Sequence, residues 1–284
     1  MTNKERLEAN NKRIDEILQN LENKIIAVQV GGKTIEVEPP KEFANASNVY
    51  YIIINDNTIL FSGTNISGLW SYKIDSKSWK KLFEITSNMQ YFQQVSPTKW
   101  LIASSSINTG ILLYNLENDT ATKLYSKGSQ WRYFQQVSDT KWLISSYNVS
   151  SSYGLLVYNL LDDSIEQIYT LDYRWQYFQQ VSENKWLVGG GSSTTSGLLL
   201  YNIADDKVEQ IYLEGYDWRY FQQISESKWL ISSNYSNTTG IGILLYNLED
   251  NSFSKIYETG YRWQYFQQVS ETKWLIGGEV WCYQ

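Results

Sequence analysis

One phrase recurs along the chain: Tyr-Phe-Gln-Gln-(Val/Ile)-Ser, a short variable step, then Lys-Trp-Leu. Its phenylalanine falls at Phe92, Phe134, Phe178, Phe221 and Phe266, at intervals of 42, 44, 43 and 45 residues. A period of about 43 residues built from short apolar runs is the signature of four-stranded blades stacked around an axis. In the copy that begins at Tyr177, four runs are rich in aromatic and β-branched residues and bounded by Ser, Asn, Asp and Gly. They predict strand a over 177–182, b over 185–189, c over 198–203 and d over 207–212. Ser96-Pro97-Thr98-Lys99 sets a tight a–b turn, with proline where its fixed φ suits a type I turn. The c–d links carry Asp and Asn, as in Asp205-Asp206 and Asp250-Asn251. The b–c links vary in length and are crowded with Ser, Thr and Asn.

A diverged copy begins near Tyr50, and the copy beginning at Tyr265 is truncated after Val280-Trp281-Cys282-Tyr283-Gln284. The expectation is an all-β, six-bladed β-propeller over 50–284. An unpaired outer edge on the last blade is an aggregation hazard. Residues 33–43 are expected to close that blade, pairing beside Val280–Tyr283, with Lys41-Glu42-Phe43 at the end of strand d. Residues 26–49 form a hairpin and linker around Gly31-Gly32, ending in Pro39-Pro40 and the closing strand.

Residues 1–25 differ from the rest. Leu7, Asn11, Ile14, Leu18, Leu21 and Ile25 recur at steps of four and three, and Ile17 widens the stripe. This heptad seam predicts an N-terminal α-helix, a coiled coil with one polar core position. It fits a homo-oligomer, with a trimer favoured and a dimer possible; the alternative is an amphipathic helix lying on its own propeller.

Composition removes much chemistry. The chain has no histidine, which excludes Ser-His-Asp and Cys-His catalysis and every His-based metal site. A lone Cys282 excludes an intrachain disulfide framework. Net charge is −6 with no basic block, so no nucleic-acid footprint is expected. No apolar run approaches membrane-spanning length, and the first residues lack the apolar core of a secretion signal. No cofactor and no metal are expected, and the chain is read as not an enzyme.

The 12 Trp and 23 Tyr are the main bias. Trp100, Trp142, Trp186, Trp229 and Trp274 open strand b and are expected to pack between blades. A second set, Trp131, Trp175, Trp218 and Trp263, stands just before strand a, each beside an arginine: Arg132, Arg174, Arg219 or Arg262. The d–a links of a propeller share a face with the b–c loops. Indole faces beside guanidinium, hydroxyl and amide groups suit sugar rings, so these eight residues are the candidate glycan site. Packing between blades is the competing reading of the same tryptophans. The paired glutamines, from Gln93-Gln94 to Gln267-Gln268, lie on the strand nearest the axis and read as amides bridging adjacent blades.

The opening stretch Met1-Thr2-Asn3-Lys4-Glu5-Arg6-Leu7-Glu8-Ala9-Asn10-Asn11-Lys12-Arg13-Ile14 resembles the start of minor structural and tail-appendage proteins of phages that infect Firmicutes. That resemblance implies a helix that oligomerises or docks on other virion proteins, a displayed C-terminal domain, and localisation in the virion after synthesis in the host cytoplasm. The repeats are similar in plan to propeller lectins of the tachylectin-2 type, which implies equivalent sites for host surface glycan. Sialidases share six blades, but Ser138-Asp139-Thr140-Lys141-Trp142 lacks the glycine and spacing of their box. Three functions follow as alternatives: a glycan-binding phage appendage, a structural spacer of a capsid or baseplate with no ligand, and a glycan-cleaving enzyme. The near-identity of the repeats weighs against the enzyme, since a catalytic site needs one blade to differ.

The seam generates the first prediction. The double variant Leu18→Asp, Leu21→Asp is expected to be monomeric by light scattering with the melting of the repeat domain unchanged. An unaltered oligomer places the subunit contact elsewhere.

Overall fold

The computed structural model describes residues 25–279, apart from 44–45, 47, 67, 85–88, 105–109, 129, 147–153, 171–173, 191–196, 214–216, 234–241 and 258–261. The seam positions Leu7 to Leu21, the N-terminal helix they predict, and most of each Ser/Thr/Asn-rich b–c loop lie outside the described residues. Ile25, the last seam position, is 59% exposed.

The described chain is all-β apart from one 3-10 turn, Lys41–Phe43. β1 (Ile26–Val30) and β2 (Lys33–Val37) form an antiparallel hairpin across Gly31-Gly32. Five four-stranded antiparallel sheets follow, each in simple sequential order. The first is β3 (Val49–Asn55), β4 (Thr58–Gly63), β5 (Leu69–Lys73) and β6 (Ser78–Phe83). The second is β7 (Met89–Gln94), β8 (Lys99–Ser104), β9 (Ile111–Asn115) and β10 (Thr120–Tyr125). The third is β11 (Trp131–Gln136), β12 (Lys141–Ser146), β13 (Leu155–Asn159) and β14 (Ser164–Tyr169). The fourth is β15 (Trp175–Ser182), β16 (Lys185–Gly190), β17 (Leu198–Asn202) and β18 (Lys207–Tyr212). The fifth is β19 (Trp218–Gln223), β20 (Lys228–Ser233), β21 (Ile243–Asn247) and β22 (Ser252–Tyr257). A sixth sheet has two described strands, β23 (Arg262–Ser270) and β24 (Lys273–Glu279). The chain divides into two compact units, Met1–Ser126 and Lys127–Gln284.

The expected strands are present, with one shift that matters: strand a of the fourth sheet starts at Trp175, not Tyr177. Among the described residues β2 pairs with β1, and the proposed partner Val280–Tyr283 lies outside them. Lys41-Glu42-Phe43 is not the end of a strand. It is the 3-10 turn, and it drops Phe43 into the core of the first sheet, where its ring meets Phe61 and Trp70 edge-on at 6.3 and 5.9 Å. The β1–β2 hairpin buries Val28, Val30 and Val37 in the same cluster, against Ile59, Trp70 and Tyr72.

Sheets meet face to face within each unit, and the contact repeats. Trp186, Val188, Leu199 and Tyr201 of the fourth sheet pack on Val137, Leu143, Leu155 and Val157 of the third. Trp229, Ile231, Leu244 and Tyr246 of the fifth meet Val181, Leu187, Leu198 and Leu200 of the fourth in the same way. Four of the five strand-b tryptophans, Trp100, Trp142, Trp186 and Trp229, are core residues at most 8% exposed, as expected, whereas Trp274 of the sixth sheet is half-buried.

The c–d turns are built by one device. Asn115, Asn159, Asn202 and Asn247 end strand c and accept, through their side-chain oxygens, the backbone N–H two residues on. Asp119, Asp163, Asp206 and Asn251 then take positive φ of 48 to 57°, the left-handed region that Asn and Asp tolerate best. The strand-c tyrosine donates to that residue: Tyr114 to Asp119 at 2.8 Å, Tyr158 to Asp163 at 2.6 Å, Tyr201 to Asp206 at 2.6 Å and Tyr246 to Asn251 at 2.9 Å. Burial first, then the facing carboxylate, drives the Tyr114, Tyr158 and Tyr201 phenols far above their usual range, whereas Tyr246 is pushed up to about 12.

Two of these carboxylates, Asp206 and Asp119, reach the preceding sheet. Lys141 of the third sheet bonds Asp206 of the fourth at 2.5 Å. Lys73 and Lys80 of the first lie 3.6 and 3.4 Å from Asp119 of the second. Burial of Asp119 opposes its ionisation, but the Tyr114 hydroxyl and the two lysines outweigh it and hold its carboxyl below the usual range. A carboxyl depressed in the folded state contributes stability that is complete above its unfolded value, about 4, and is lost as pH falls through the lower folded value. Asp119→Asn is expected to melt below the wild type at pH 7, with the gap closing on acidification below about pH 4. A gap that does not change with pH would show that the charge contributes nothing.

Candidate functional site

Strand a carries an irregularity in every sheet from the second to the sixth. The register slips between its first apolar residue and the tyrosine two positions on, at Met89/Tyr91, Trp131/Tyr133, Trp175/Tyr177, Trp218/Tyr220 and Trp263/Tyr265. The extra residues are Gln90, Arg132, Gln176, Arg219 and Gln264. Such a bulge kinks the strand and re-aims its side chains. Just ahead of it Gln130, Arg174 and Asp217 hold positive φ of 54, 52 and 56°. The third, fourth and fifth sheets therefore begin with a sharp local turn in which a polar residue, a tryptophan and a second polar residue follow one another.

The tryptophan goes inward. Trp131 and Trp175 are 0% exposed and Trp218 is 1% exposed. Trp175 sits among Leu143, Leu155 and Val157 of the preceding sheet, with Tyr169 edge-on at 5.8 Å. Trp218 meets Tyr212 in the same way at 5.7 Å, and Trp263, which is half-buried, meets Tyr257 at 5.2 Å. The Trp131 indole N–H donates to the Lys127 carbonyl at 3.1 Å. Closure around these residues is tight. Ser145 and Ser232 donate their hydroxyls to the Trp175 and Trp263 carbonyls. At the corresponding Gly189 a Cβ would stand 2.2 Å from the Trp218 carbonyl.

This corrects the candidate glycan site. Trp131, Trp175 and Trp218 cannot stack on a sugar, because no face of the indole reaches solvent. The expectation of link residues ahead of the strand gives way: each is the strand's first residue, and Trp175 and Trp218 fill the wedge between their own sheet and the preceding one. Arg132, Arg174 and Arg219 are half-buried, and the Arg262 side chain lies outside the described residues. Of the eight predicted residues, Arg219 alone lines a cleft that the first strands of successive sheets form.

That cleft has a volume of about 810 Å³ and is built from strand a of the third to sixth sheets. Its walls are Tyr177, Phe178 and Gln179, then Arg219, Tyr220, Phe221 and Gln222, then Tyr265, Phe266 and Gln267, with Gln135, Gln176 and Gln264 at its edges. The phrase that recurs in sequence thus lines one surface. Phe178 and Phe221 lean back onto the inter-sheet cores, which fixes the strand that carries them. Arg219 lies over the Tyr177 ring at 5.0 Å and bonds Asp217 at 2.5 Å. Burial and the Asp217 carboxylate, against the pull of Arg219, hold the Tyr177 phenol above its usual range, so it remains a neutral hydroxyl.

The glutamines do not bridge blades as expected. In four of the five pairs the first glutamine turns its amide N–H onto the very next backbone carbonyl: Gln93 to Gln94 at 2.9 Å, Gln135 to Gln136 at 2.8 Å, Gln179 to Gln180 at 2.9 Å and Gln222 to Gln223 at 2.9 Å. The second reaches the a–b turn, as Gln180 does to the Glu183 carbonyl at 3.4 Å. The signal for the cleft was present in the sequence. Amides repeated at one position of strand a mark a surface rather than an apolar core.

Among the described residues no group of three His, Cys, Asp or Glu is placed to hold a metal ion. No protein-family model matches this sequence, and no curated protein does. Solved structures match by shape. One is the extracellular domain of a hybrid two component system, BT3049, from B. thetaiotaomicron, 15% identical with a TM-score of 0.40, the match covering 90% of this chain and 36% of that one. Another is the extracellular domain of the BT4673 hybrid two component system from the same organism, 15% identical with a TM-score of 0.39, covering 90% and 32%. This chain spans about a third of the length of those structures, and at these scores the likeness says nothing of ligand or setting.

Trp175→Ala separates a packing role from a binding one. It is expected to lower stability by about 3–5 kcal/mol, the cost of truncating a fully buried tryptophan, measured by urea denaturation of the purified chain. A fully stable variant would return Trp175 to the surface.

Proposed function

We propose that this chain is a non-enzymatic recognition module, displayed on a phage virion appendage, whose repeats close into a six-bladed propeller and bind host surface glycan through the strand-a cleft. The observation that carries the reading is the cleft itself: three successive repeats contribute the same Tyr-Phe-Gln phrase to one surface, and the repeat before them adds Gln135. Phenol rings offer flat faces to the C–H side of a sugar, and phenols, amides and a guanidinium supply hydrogen bonds to its hydroxyls. Protein sites for small molecules are concave, part aromatic, and carry a few placed polar groups. The lining contributes no carboxylate pair, which glycoside hydrolysis ordinarily uses. This supports binding without turnover.

Ring closure draws support from the last sheet. Val269 and Leu275 occupy positions that the third and fourth sheets bury as Val137, Val181, Leu143 and Leu187, yet they are 58% and 61% exposed. In a closed ring this apolar face has a neighbouring blade, and the exposure ends. The virion setting rests on the resemblance of residues 1–14 and on the heptad seam. An oligomer raises the effective concentration of several weak sites and gives avidity of about a hundredfold or more.

The test is a glycan array probed with the full chain and with the double variant Tyr177→Ala, Tyr220→Ala. Wild-type binding to a defined set of glycans, lost in the variant at unchanged melting temperature, is expected. If the wild type binds none, the module is a structural spacer and the recognition reading is discarded.

A further inference from the structure

Resting on the glycan reading of the cleft, we infer that its ligand is an uncharged, polyhydroxylated glycan chain, selected over acidic glycans by a row of oriented amide oxygens. Only the NH2 end of a glutamine can donate to a carbonyl. The bonds from Gln135, Gln179 and Gln222 to the carbonyls of Gln136, Gln180 and Gln223, at 2.8, 2.9 and 2.9 Å, therefore fix which end of each amide is which. In all three one amide N–H is spent on the chain's own carbonyl, while the side-chain oxygen accepts no hydrogen bond from the described residues. All three residues line the cleft, one from each of three successive sheets. The cleft so presents acceptors at the spacing of the repeat.

An acceptor row asks for donors. Sugar hydroxyls donate readily; a carboxylate or sulfate brings only oxygens with no proton to give, and opposes the amide oxygens directly. The positive charge that would attract an acid is already committed. Arg219 holds Asp217 at 2.5 Å and stacks on Tyr177 at 5.0 Å, so an acidic sugar would have to displace a carboxylate that is part of the fold. The phenols add rings and neutral hydroxyls rather than charge. The chemistry of the lining is that of a surface for hydroxylated chains without net charge.

The full chain is titrated calorimetrically with two sets of probes of matched length. One set is neutral, oligomers of glucose, galactose and N-acetylglucosamine; the other is acidic, sialylated, uronic-acid and sulfated oligomers. Each is run at low and high salt. Binding of a neutral oligomer, unchanged by salt and at least tenfold tighter than any acidic one, is the expected result. Salt insensitivity is read on the wild type and does not depend on a variant folding. Gln179→Leu and Gln222→Leu remove one acceptor each and are expected to weaken binding by about tenfold apiece, the size of one net hydrogen bond. Binding confined to acidic oligomers and lost in high salt overturns the inference while the glycan reading stands. Neutral binding that both leucine variants leave intact, in proteins of wild-type melting temperature, overturns the acceptor row. Failure of every oligomer overturns the glycan reading and this inference with it.

Discussion

Trp175 and Trp218 fill the wedge where one sheet turns its face to the next. A fully buried indole there removes a large apolar area from water, at roughly 25 cal/mol per Å². It is clasped by the tyrosine that ends the preceding strand. The other regularities of the repeat serve this contact. The bulge after the tryptophan separates its direction from that of its neighbour. A serine or glycine on strand b lets the tryptophan carbonyl come close.

The outer side of each sheet is fastened by different chemistry. There the strand-c tyrosine, the left-handed aspartate of the c–d turn and a lysine of the preceding sheet form a chain of polar contacts, complete at Tyr201, Asp206 and Lys141. Asn251 keeps the tyrosine bond of that turn and gives up the charge. Apolar burial thus holds the sheets together deep in the wedge, while charge and hydrogen bonds set their register near the rim. At Asp119 this contribution is sensitive to pH, because its carboxylate is held in its ionised form by Tyr114 and two lysines.

With the tryptophans committed to packing, the proposed recognition surface lies on the first strands themselves rather than on the links between sheets. A site on strands is held more rigidly than one on loops. Here each wall of the cleft is anchored by a phenylalanine that leans into the core behind it. The same phrase therefore does two jobs in alternation: Phe secures the strand, while Tyr and the first Gln face the cleft. Repetition of one phrase at about 43-residue intervals converts a short linear pattern into a lined surface.

The period, the four strands of each repeat, the polar c–d turns and the role of the strand-b tryptophans were all legible in the sequence. Each depends on local pattern: apolar alternation for strands, Asn and Asp for left-handed turns, and a large aromatic repeated inside a strand for a buried face. The direction of Trp131, Trp175 and Trp218 was not legible. A tryptophan beside an arginine at the edge of a strand has the same local pattern whether it faces solvent or a neighbouring sheet. Only the bulge and the packing of the next sheet decide between them. The cleft was hidden for a related reason. Its residues were visible as a repeated phrase, but a concave surface exists only when several copies are brought side by side. Which end of each amide is left for a ligand depends on a backbone carbonyl one residue away. Sequence determined which residues repeat; the meeting of sheets determined which of them are core and which are surface, because burial is a property of neighbours.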